Sequence, residues 1–122
     1  MGLDLAVHAE RCELRPIGSG RPARDMLAAW LADLAERLAS RGCTFIGHLK
    51  GMAVAPGEET LFFSLTRLGG EPGFKGGAWN GTGPFELSVS AILAGIGEEE
   101  IGLAMRQTLE EHFQVSPAEA TT

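Results

Sequence analysis

The chain has 122 residues, 44% of them hydrophobic and 21% charged, with a formal net charge of −6. That length is one domain by the usual size range, and the apolar content excludes a disordered chain. The acid excess argues against a broad nucleic-acid surface, which concentrates Lys and Arg.

The first sixteen residues alternate at Leu3, Leu5, Val7 and Ala9 and predict an N-terminal strand, although Ala6, Glu10 and Glu13 also suit a helical turn. Pro22 then suits a first helical turn, where its missing N–H costs nothing. Leu27, Leu31, Leu34 and Leu38 follow at spacings of four, three and four, with Trp30 beside them. This apolar stripe predicts a helix over 22–41, closed by Arg37, Arg41 and Gly42.

From Cys43 the period changes to two. Phe45, Gly47, Leu49, Gly51 and Ala53 fall on one side of a strand over 43–54, with Ile46, His48, Lys50, Met52 and Val54 on the other. Pro56 and Gly57 make a turn into a second strand over 59–68, antiparallel to the first by its short connection. A third strand over 84–94 sets Phe85, Leu87, Val89, Ala91 and Leu93 against Glu86, Ser88 and Ser90. Glu98, Glu99 and Glu100 open a final helix, where acids meet the positive end of the dipole. Ile101, Met105, Thr108, Leu109 and His112 share its inner face, and the helix should fade at 113–115, leaving a frayed tail over 116–122. The expected fold is a single α+β domain over 1–122. It is a two-layer sandwich of two helices on an antiparallel sheet of three or four strands.

Between the second and third strands lies 69-GGEPGFKGGAWNGTG-83, too rich in glycine for helix or ordinary strand. This loop presents Lys75, Trp79 and Asn80 as candidate ligand-binding residues, with Asn80-Gly81 setting a tight turn. It matches neither G-x-x-x-x-G-K-[ST] nor G-x-G-x-x-G, and it leads into a strand rather than a helix, which removes the phosphate-cradling mechanisms. Aromatic area at Phe74 and Trp79 instead suits closing a pocket or meeting another subunit.

His48 and Lys50 point to one side of their strand, where an imidazole can move protons and an ammonium can hold an anion. His48 is therefore the candidate catalytic residue and Lys50 a further candidate ligand contact. His8, His48 and His112 lack metal-ligand spacing, and no C-x-x-C pair accompanies Cys12 and Cys43. No metal and no cofactor is expected. Without a basic start followed by an apolar run, or a span-length apolar stretch, the expectation is a soluble, cytoplasmic protein with no membrane or nucleic-acid partner.

Two functional readings follow. The first is a small homo-oligomeric binding or accessory protein, a homodimer by the commonest symmetry, taking a small-molecule ligand. It rests on apolar residues at both alternating positions of 43–54 and 59–68. The alternative is a small hydrolase or isomerase that uses His48 for proton transfer and Lys50 for an anionic substrate.

Overall fold

The computed structural model describes residues 5–17, 20–76, 79 and 83–118. Along the chain run β1 (Leu5–Pro16), α1 (Ala23–Ser40), β2 (Phe45–Val54), β3 (Leu61–Leu65), β4 (Gly73–Lys75), β5 (Phe85–Ala94), α2 (Glu98–His112) and β6 (Phe113–Pro117). The strands form one antiparallel sheet in the order β4-β3-β2-β5-β1-β6.

The α+β class and the two helices match expectation, but among the described residues the sheet has six strands rather than three or four. The two least legible strands sit at the edges. β4 is only three residues long and lies inside the glycine-rich segment, pairing Phe74 with Phe63. β6 starts at the residue after α2, where a helical stripe had been expected to fade. Val115 pairs with Leu14 and Pro117 with Cys12, so part of the expected frayed tail is a strand. A proline and a three-residue length suit edge positions, which carry fewer ladder bonds.

The helices form as their stripes dictate. Leu27, Leu31, Leu34 and Leu38 of α1 are fully buried, as are Ile101, Ala104, Met105 and Leu109 of α2. Both helices pack on the sheet face made by Leu14, Leu49, Phe63, Leu87, Val89 and Leu93. Trp30 joins the layers: its indole N–H donates to Thr108 Oγ1 at 3.0 Å, and its ring meets Phe63 edge-on at 6.2 Å. The Thr108 hydroxyl in turn donates to the Ala104 carbonyl at 2.7 Å, so the buried polar pair is satisfied. At the solvent side, Arg37 reaches Glu111 at 2.7 Å and His112 bonds Asp33.

The alternation of β2 is not uniform. Its register with β5 shifts between Ile46 and His48, so Gly47 is an extra residue in a bulge. Ile46 therefore lies buried with Leu49, whereas simple alternation put it with His48 and Lys50. Beyond the bulge, Gly51 faces the core opposite Val89 and Phe63. A Cβ there would stand 2.7 Å from Phe63 Cζ and would also collide with the Ser88 carbonyl oxygen. Gly51→Ala should therefore destabilise the domain by about 1–3 kcal/mol, the usual cost of overpacking. The reading is a lower urea midpoint with an unchanged slope.

Candidate functional site

Both helices cover one face of the sheet, and the residues of opposite alternation form the other. The strand registers arrange this second face in cross-strand rows. At one end, Val7, Ile92 and His48 lie side by side, with Leu5 further out on β1. The next row runs Ala9, Ser90, Lys50, Ser64 and Gly73 from β1 to β4. The row after it runs Arg11, Ser88, Met52, Phe62 and Lys75. Glu13, Glu86 and Val54 close the opposite end.

This face is apolar, and no helix among the described residues covers it. Leu5 is 55% exposed, Val7 57% and Phe62 52%. Scattered exposed apolar groups are ordinary, but side chains aligned in register on one sheet face form a patch. Small residues in the two middle rows leave a groove of about 930 Å³, bounded by the larger Met52, Phe62 and lysine side chains.

The electrostatics of the groove differ from those of the whole chain. Its two rows contain Lys50, Lys75 and Arg11 and no carboxylate. Arg11 donates through Nε to Glu86 in the neighbouring row, a contact that holds the guanidinium more firmly in its charged form. Glu10 lines the rim, but its carboxylate is turned to His8 at 2.9 Å and to Arg106 at 3.4 Å. Among the described residues, Lys50 and Lys75 have no carboxylate partner.

The structure thus brings together two of the residues singled out from sequence, Lys50 and Lys75, across two intervening strand spacings. His48 stands one row outside the groove, opposite Ile92, and among the described residues no acid or hydroxyl orients its ring. Asn80 lies outside the described residues. Trp79 is elsewhere altogether: it is 3% exposed, donates its indole N–H to the Glu59 carbonyl at 2.6 Å and meets Phe85 edge-on at 5.2 Å. It is packed into the core, and it also lines a small cavity with Ala23, Ala55, Pro56 and Pro84, away from the groove. Sequence reasoning missed Phe62, Met52 and the serine rows as groove residues. Their signal was the polar alternation of Ser64, Ser88 and Ser90, but pairing was needed to place them together.

Among the described residues, the other reactive groups lie outside the groove. Cys12 faces the core of β1, and burial pushes its thiol up to about 11, with Glu10 and Glu86 adding to the shift. It stays protonated at neutral pH and is a poor nucleophile. Among the described residues, no group of three or more His, Cys, Asp or Glu side chains could hold a metal ion. No helix among them is long and apolar enough to cross a membrane. No protein-family model, no curated protein and no solved structure matches the chain.

Two measurements check these placements. Trp79→Ala should cost about 3–5 kcal/mol, as for other buried aromatics, with a matching fall in the urea midpoint. A surface role for Trp79 predicts almost no change. For Cys12, a thiol raised in the folded state contributes stability that is complete below its unfolded value and lost as pH rises through about 11. Cys12→Ala should therefore lose less stability than the native chain between about pH 9 and 11.

Proposed function

We propose that this is a small binding or accessory protein that works as a homo-oligomer, with the helix-free sheet face as its working surface. The observation that carries this reading is the uncovered face itself. Two helices supply only one layer, while the opposite face holds Leu5, Val7, Met52, Val54 and Phe62, all exposed. Exposed apolar surface of this kind costs solubility unless something covers it, and a second copy is the simplest cover for its Leu5 and Val7 end.

The face divides naturally between two tasks. The apolar end at Leu5, Val7 and Ile92 has no carboxylate, lysine or arginine in its row with His48 and suits contact between subunits. The groove over Lys50, Met52 and Phe62 lies one and two rows further along, and in this reading it is the part of the face left to a ligand. The hydrolase or isomerase reading is less well supported. Proton transfer needs a base held by a partner, and His48 has none among the described residues.

Solution mass over a concentration series tests the assembly. The native chain should run as a dimer, or a larger closed oligomer, at micromolar concentration. Val7→Glu should shift it toward monomer by at least about tenfold in dissociation constant, since a buried unpaired carboxylate costs well over 1.4 kcal/mol. A native chain that stays monomeric throughout the series would end the homo-oligomer reading.

A further inference from the structure

Resting on the reading of the open face as a binding surface, we infer that its groove binds a small amphipathic organic anion: a carboxylate, sulfonate or phosphate ester carried on a flat apolar body. Three features of the groove converge on that chemistry. The first is charge. In a chain of net charge −6, the two central rows contain three cations and no carboxylate. Glu86 neutralises Arg11, which leaves Lys50 and Lys75 as the groove's cations without a carboxylate partner among the described residues. An anion between them replaces water at two ammonium groups without displacing any existing ion pair.

The second feature is geometry. Lys50 lies on β2 beside Ser64, and Lys75 lies on β4 beside Phe62, one row along. Two strand spacings and one two-residue step put their Cα atoms about 12 Å apart. Each lysine side chain spans about half that distance, so both ammonium groups can converge above Phe62 and Ser64. The Ser64 hydroxyl, between them, supplies a neutral donor to the same anion.

The third feature is the floor. Met52 and Phe62 stand next to each other on adjacent strands, both exposed, and form an apolar platform. A thioether beside an aromatic ring suits a flat apolar body. Ser88, Ser90 and Ala9 continue the depression toward β1 with side chains too short to fill it. The groove volume of about 930 Å³ lies within the range of small-molecule sites. A nucleic acid is disfavoured because two free lysines give too short a basic track for a phosphate backbone.

A pair of fluorescent probes separates the anionic part of this inference from the binding surface on which it rests. Anilinonaphthalenesulfonate carries fused rings and a sulfonate; N-phenylnaphthylamine carries the same rings without the charge. The native folded protein should bind the sulfonate at least about tenfold more tightly, and the preference should shrink as salt is raised. Lys50→Met with Lys75→Met should abolish that preference while leaving the neutral probe bound as before. Phe62→Ser should weaken both probes. All three positions are exposed, so folding should be unaffected, as urea unfolding of each variant verifies. If both probes bind equally to the native protein, or the double lysine variant keeps its preference for the sulfonate, the anion assignment is wrong. If, in addition, Phe62→Ser changes neither probe, the open face is not the binding surface and the proposed function falls with it.

Discussion

The alternation along Phe85–Leu93 is the constraint on which the rest of the molecule depends. β5 is the central strand, with β2 on one side and β1 on the other. Its odd-numbered side chains are buried and its serines lie on the opposite face. Because side-chain direction repeats every two residues, pairing to β5 fixes which face every residue of β1 and β2 occupies. A one-residue slip would carry Leu87, Val89 and Ala91 to solvent and the serines into the layer beneath the helices. Trp30, set between Thr108 and Phe63, depends on that order, since Phe63 faces inward only through the chain of registers from β5.

The same alternation that builds the core makes the groove. Ser88 and Ser90 are short, so the middle of the open face is low, while neighbouring strands contribute Met52, Phe62 and lysines that stand higher. The helices add nothing on this side. The unequal treatment of the two faces therefore comes from composition as much as from topology: closely packed aliphatics where helices lie, and hydroxyls and cations set among exposed apolar side chains such as Val7, Met52 and Phe62 where they do not. An antiparallel sheet tolerates this division because one of its faces can remain hydrated.

Much of this organisation was legible in the sequence. The leucine stripe of α1, the acid-led start of α2 and the period-two pattern of β5 each reflect local chemistry that recurs at fixed spacing. The missing pieces depended on distant residues. β4 is a strand only because Phe63 offers it a partner, and Val115 extends only because Leu14 lies alongside. Gly47 could not be recognised as a bulge without the strand it bulges against. Lys50 and Lys75 were recognisable as cations worth naming, but their shared groove is a product of two strand registers. The packing of Trp79 was hidden for a related reason. Glycine around an indole suggests mobility, whereas a single backbone acceptor at Glu59 and the edge of Phe85 hold it inside.

The sheet order also has a kinetic side. β1 lies between β5 and β6, so Leu5 pairs with Ala94 and Cys12 with Pro117, partners separated by most of the sequence. The hairpin of β2 and β3 and both helices can form from neighbouring residues, but β1 has no strand to join until the segment beyond residue 84 is present. Closing such long loops before any contact compensates them makes folding slow for a domain of this size. Without β5, β1 lacks the strand that links it to the rest of the sheet, and without β1, β5 presents an open edge. Exchange of β1 between two copies of the chain would satisfy both at once, so the order of strands in this sheet makes the first strand the natural element for a domain swap.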